Sequence, residues 1–134
     1  MSAVLVTGSR DWDRAGPIWC VLDDLLVEHG QLLVVHGAAD GADAHADGWA
    51  TLRRAEGYKV SVKRFRPLWG LLGRAAGPMR NAEMVRWLAC ERPTAAVHGF
   101  LRGDSRGTTG CLKLARQVGF EPVVHRYEDP ERAP

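Results

Sequence analysis

Cysteine is scarce in this chain of 134 residues: Cys20, Cys90 and Cys111 stand far apart, each in a stretch that reads as helix. That spacing makes neither a zinc pattern nor an even disulfide framework, and it points to a reducing, cytosolic setting. An excess of either charge sign is lacking as well. The formal net charge is +2, too small to imply nucleic acid. No basic stripe carries interleaved aromatics of the kind that stack single-stranded bases. Long apolar runs are absent, so no segment spans a membrane, and Met1-Ser-Ala-Val-Leu-Val-Thr-Gly has no basic leader and reads as a first strand. Neither internal repeats nor low-complexity segments interrupt the chain. The length suits one domain with a real core, expected over residues 1–126, followed by a polar tail over 127–134 that holds two prolines and frays.

What is present is a regular alternation. Apolar runs at Val4 to Val6, Leu32 to Val35, Val60 to Phe65, Ala95 to Phe100 and Val123 to Val124 are separated by stretches of helical period. Ile18, Val21, Leu22, Leu25 and Leu26 line one helix face beginning near Pro17, with Asp23, Asp24 and Glu28 turned to water. A second helix starts about Ala42 and is rich in alanine, so it lies close to the sheet. A third runs near Pro78 to Cys90 with Met84, Val85, Leu88 and Ala89 buried. The fourth places Cys111, Leu114, Ala115 and Val118 on one face and stops at Gly119. Strands joined by such helices pair in parallel through right-handed crossovers, and strands apolar on consecutive residues are covered on both sides. The expected class is α/β, a doubly wound parallel sheet of about five strands.

Ligands of such sheets sit beyond the carboxyl ends of the strands, which directs attention to four loops. Arg102-Gly-Asp-Ser105-Arg106-Gly107-Thr108-Thr109 precedes a helix, where backbone N–H groups and a partial positive charge favour an anion. Ser105 or Thr108 also serves as an ordinary helix cap there. Thr7-Gly8-Ser9-Arg10-Asp11-Trp12 offers close backbone approach at Gly8, phosphate donors at Ser9 and Arg10, and a flat ring at Trp12. It is not G-x-G-x-x-G, and no acidic residue follows strand two where that motif holds a ribose, so a dinucleotide enzyme is disfavoured. His36-Gly37-Ala38-Ala39-Asp40-Gly41-Ala42-Asp43 leaves the mouth of the sheet free of bulk. Asp40 or Asp43 either caps the next helix or accepts ribose hydroxyls. His45 does not share the helix face of Asp43 and Asp47, so no metal is expected. In the long connection from Pro67 to Asn81, Arg80 and Asn81 stand at a helix start, a poor place for a cation unless it meets an anion or an aspartate. Trp69 reads there as a lid over the core edge.

Taken together, Thr7–Trp12, His36–Asp43, Ala76-Gly-Pro-Met-Arg80-Asn81 and Ser105-Arg106-Gly107-Thr108 resemble the signature of the SLOG superfamily, and within it the cpYpsA-related, YspA-like branch. The resemblance implies a Rossmann-like sheet of order 3-2-1-4-5 that binds nucleotides or nucleotide-derived ligands. Relatives include cytokinin-activating phosphoribohydrolases, the single-strand-binding protein DprA, and sensor domains for nucleotide signals. It also implies a homodimer formed through helices, for which Trp49 or Trp87 would suit if exposed.

One departure bears on catalysis. Phosphoribohydrolases carry a glutamate three residues after the Gly-Thr pair of the last loop, and Cys111 stands at that position here, with no acidic residue among Thr109, Gly110, Leu112 and Lys113. A cleaving enzyme would have to draw its carboxylate from Asp40, Asp43 or Asp104, with Arg80 beside it. The expectation is therefore a cytosolic domain that binds a nucleotide-derived small molecule, without a cofactor or metal of its own. N-ribohydrolysis is the alternative, and DprA-like nucleic-acid binding a weaker one.

Overall fold

The computed structural model describes residues 1–127. Five parallel strands, β1 (Ala3–Gly8), β2 (Leu32–His36), β3 (Val60–Arg64), β4 (Ala96–Arg102) and β5 (Val123–Tyr127), form one sheet in the order β3-β2-β1-β4-β5. This is the expected order, with β1 at the centre. The helices are α1 (Ala15–His29), α2 (Ala42–Ala55), a single turn α3 (Trp69–Leu72), α4 (Ala76–Glu91) and α5 (Arg106–Gln117).

The alternation of side chains along each strand divides the core in two. Val4, Val6, Leu32, Val34 and Phe100 face α1 and α2, which contribute Ile18, Leu22, Ala46 and Trp49. Leu5, Val35, Val97 and Leu101 face α4 and α5, which contribute Met84, Leu88, Cys111 and Leu112. Burial on both faces is why these strands are apolar on consecutive residues. The α1 helix ends where Gly30, at φ 73°, donates its N–H to the Leu26 carbonyl.

Several expectations change in detail. Tyr127 is not tail but the last residue of β5, packed edge-on against Trp12; the remainder of the expected tail, 128–134, lies outside the described residues. Asp23 does not simply face water. It accepts from the indole N–H of the fully buried Trp49 at 2.8 Å and from Arg53 Nε at 3.0 Å, because a buried indole N–H requires an acceptor. Val118 falls beyond α5 and is exposed. The α4 helix begins at Ala76, so Arg80 and Asn81 occupy its second turn rather than its first. Trp49 is core, and Trp87 is half-buried against Phe65, so neither offers the exposed face imagined for a dimer contact.

Gly8 sets how closely α2 approaches the sheet. A Cβ there would overlap the Ala42 Cβ and lie 2.6 Å from the Phe100 carbonyl oxygen, and both neighbours are held by backbone. Gly8→Ala is expected to cost about 3 kcal/mol, read as a lower urea midpoint with an unchanged slope.

Candidate functional site

Four strand-end loops meet at the carboxyl edge of the sheet around a cavity of about 790 Å³. The β1–α1 loop brings Ser9 and Arg10, the β2–α2 loop and the first turn of α2 Ala39 and Asp43, α3 and α4 Trp69 and Arg80, and the start of α5 Ser105 to Thr108. Ser105 caps α5: its Oγ accepts from the Thr108 N–H at 3.3 Å and donates to Thr108 Oγ1 at 2.8 Å. The N–H groups of Arg106 and Gly107 have no intrahelical acceptor, and they stand at the positive end of the α5 dipole. The cap and the anion site thus share one turn.

Arg80 ties these loops together. Its Nη1 donates to the Gly37 carbonyl, its Nε donates to Asn81 Oδ1 at 2.7 Å, and Asn81 Nδ2 donates to the Gly107 carbonyl at 3.2 Å. A Cβ at Gly37 would sit 2.6 Å from the guanidinium, so only glycine lets Arg80 lie there. Burial pushes the Arg80 guanidinium below its ordinary value, while the nearby Asp43 carboxylate works the other way.

Asp43, in the first turn of α2, does not cap that helix. Gly41 occupies the cap position at φ 72°, and its own Cβ would collide with the Ser9 and Arg10 carbonyls. Instead Asp43 Oδ2 reaches back to accept from the Gly37 and Ala39 N–H groups, at 3.0 and 3.2 Å. The other oxygen, Oδ1, is buried with no hydrogen-bond partner among the described residues, in a residue only 4% exposed that lines the cavity. Burial pushes the carboxyl up to about 6, against the opposing pull of the Ala39 N–H and the Arg80 charge.

The β2–α2 loop has a second anchor. The Ala38 N–H donates to His36 Nδ1 at 2.9 Å, so the ring proton sits on Nε2, which donates to Asp47 Oδ2 at 2.6 Å. Asp47 also takes two bonds from Arg64. Burial lowers the His36 value and keeps the ring neutral, as this arrangement needs. The loop it holds includes Ala38 at φ 56°, a conformation an alanine adopts only under such constraint.

Of the residues expected from the sequence, Gly8, Ser9, Arg10, Asp43, Arg80, Asn81, Asp104, Ser105, Arg106, Gly107 and Thr108 line one cavity. The others do not. Trp12 is a correction: at 3% exposure it belongs to the core between Phe100 and Tyr127, and its indole N–H is spent on the Arg14 carbonyl. Asp40 is exposed and off the cavity, and Gly37, Ala38 and Gly41 act behind it, as backbone that seats Arg80, His36 and Ser9. Arg102 turns to the Asp11 carbonyl and Asp13 rather than adding charge at α5. Cys111 is buried and its thiol is pushed up to about 11 by burial, which removes it as a nucleophile at neutral pH. Among the described residues no group of three or more His, Cys, Asp or Glu stands close enough to hold a metal ion.

The sequence does not announce the apolar wall of Trp69, Pro78, Met84 and Leu114, and Trp69, expected as a lid over the core edge, is 46% exposed on the cavity instead. Trp69 sat in plain view in a glycine-rich connection at a strand end, and that position was the available signal.

Comparison with known proteins gives two findings. Residues 2–71 match the family model described as YAcAr: YspA, cpYpsA-related SLOG family. Gene 61 protein of Mycobacterium phage D29 is 40% identical over 131 residues, which make up 97% of this chain and 100% of that protein.

The raised value of Asp43 has a stability consequence with a definite sign. A carboxyl whose folded value lies above its unfolded one favours folding when protonated, and that contribution is lost as pH rises through about 6. Asp43→Asn removes the titration. Relative to the variant, the native chain is expected to lose on the order of 3 kcal/mol of stability between pH 4 and pH 7.5, measured by urea unfolding of both proteins across that range.

Proposed function

The chain belongs to the YspA, cpYpsA-related SLOG family, and from that premise we propose that it binds a nucleotide or nucleotide-derived phosphorylated ligand at the carboxyl edge of its sheet, as a sensor or binding domain. The convergence of the α5 N-terminus, Arg10, Arg80 and Arg106 on one cavity carries the reading. The phosphate lies against Ser105, Gly107 and Thr108, where backbone N–H groups and the helix dipole favour an anion. Arg10 and Arg106, both exposed, close on it from the solvent side, and Arg80 adds charge from below. Asp43, rather than Asp40, accepts a ligand hydroxyl through Oδ1, which otherwise stays buried without a partner.

Hydrolysis of an N-glycosidic bond is the second reading, favoured by that same oxygen: a buried carboxylate pushed up to about 6 suits a base at neutral pH. Release of free base and ribose 5-phosphate from nucleoside monophosphates, abolished by Asp43→Asn, would establish it. Recovery of intact nucleotide from the complex would remove it.

A cytoplasmic setting belongs to the proposal and fits three unpaired cysteines. No helix among the described residues is long and apolar enough to cross a membrane. The homodimer belongs to it too; exposed Leu68, Leu71 and Met79 beside the cavity would supply the contact, and a monomeric mass in light scattering would exclude it.

Arg10 separates ligand binding from folding, because its side chain is exposed and lies over the Trp69 ring rather than in the core. Arg10→Ala is expected to weaken nucleoside monophosphate binding about tenfold in calorimetry, the loss of roughly 1.4 kcal/mol that follows when one charge-assisted contact goes. The melting temperature should hold. Undiminished binding by Arg10→Ala and Arg106→Ala alike would overturn the phosphate assignment.

A further inference from the structure

The chain has five tryptophans, and four are used by the fold. Trp12 and Trp49 are buried, Trp19 donates its N–H to the His45 carbonyl, and Trp87 packs on Phe65. Trp69 is the exception at 46% exposure, although it opens the α3 turn and lines the cavity. The indole leans on the first turn of α4, where a Cβ at Gly77 would touch Trp69 Cη2 at 3.4 Å. The Arg10 guanidinium carbon stands 5.2 Å from its ring centroid. The cavity is thus two-sided, with hydroxyls, N–H groups and cations along α5 and β1, and an apolar wall of Trp69, Pro78, Met84 and Leu114. Arg10 touches both parts.

We propose that Trp69 is the aromatic subsite of this cavity, on whose face the flat base of a nucleotide stacks while Arg10 spans base and phosphate. The inference rests on the phosphate-ligand reading above and adds the chemical class of the ligand's other end. A pocket for phosphate or sugar phosphate alone has no use for an exposed indole and an apolar wall; a ligand carrying a π-system covers both. Stacking reads every base by its face, so the subsite prefers larger rings and tolerates their edges. Purine nucleotides then bind more tightly than pyrimidine nucleotides, and either more tightly than ribose 5-phosphate.

The test is calorimetry of the native chain, Trp69→Ala and Trp69→Phe with AMP, GMP, CMP, UMP and ribose 5-phosphate, with melting curves confirming that each variant folds. The native chain is expected to bind AMP at least tenfold more tightly than ribose 5-phosphate. Trp69→Ala should erase that ratio, with AMP losing more affinity than ribose 5-phosphate, and Trp69→Phe should restore most of it. AMP should also quench tryptophan fluorescence in the native chain and not in Trp69→Phe. A native ratio near one overturns the aromatic subsite and leaves the phosphate reading standing. A native ratio that survives in Trp69→Ala places the base elsewhere and overturns it too. If the native chain binds none of the five compounds, the phosphate reading fails and takes this inference with it.

Discussion

A half-buried guanidinium pressed against a glycine holds this cavity in shape. Arg80 reaches from the second turn of α4 to the Gly37 carbonyl, and through Asn81 it is linked to the first turn of α5. Three segments distant in the chain are therefore fixed by one cation that burial makes costly and the Asp43 carboxylate makes tolerable. The two charges depend on each other. Asp43 in turn orders the loop that Arg80 touches, by holding the Gly37 and Ala39 N–H groups. For Asp43 burial outweighs the attraction of Arg80, which is why its carboxyl is raised despite a nearby arginine.

Electrostatically the cavity is mixed rather than simply basic. Arg10, Arg80, Arg106 and Lys113 line it together with Asp11, Asp43 and Asp104. A uniformly cationic pocket would take any polyanion. The mixed lining suits the ligand proposed above, which presents a phosphate at one place and hydrogen-bond donors at another. Cys111, at the position where resemblance to the phosphoribohydrolases leads one to expect a glutamate, contributes a buried thiol to the core instead. Any carboxylate chemistry would have to draw on Asp43 or Asp104 instead.

Sheet order and the four loops were legible because their signals are local or come with the recognised motifs: consecutive apolar residues, glycines at strand ends, hydroxyls before helices. Side-chain roles set by distant partners were not. Loops one and three each hold a tryptophan, and nothing local says which is buried. Trp12 goes inside because Tyr127 and Phe100, from β5 and β4, close around it, while Trp69 stays at the surface because α3 is a single turn laid across α4. Asp43 looked like a cap, since carboxylates near helix starts usually are. The decision was made by Gly41, whose positive φ takes the cap position and leaves Asp43 to turn backwards. Asp23 was read as solvated for a similar reason, its indole partner lying on another helix.

The central place of β1 also has a kinetic side. Pairing β1 with β2, and β2 with β3, needs only neighbouring segments, whereas β1 meets β4 only across the whole chain that makes up those other strands and their helices. Closing that long loop is the entropically late event. The matched family span, residues 2–71, covers the early half and carries two of the four loops. Arg80 and the α5 turn arrive with the second half. The cavity therefore has no complete wall in either half of the chain and exists only once α4 and α5 stand against β1 and β2.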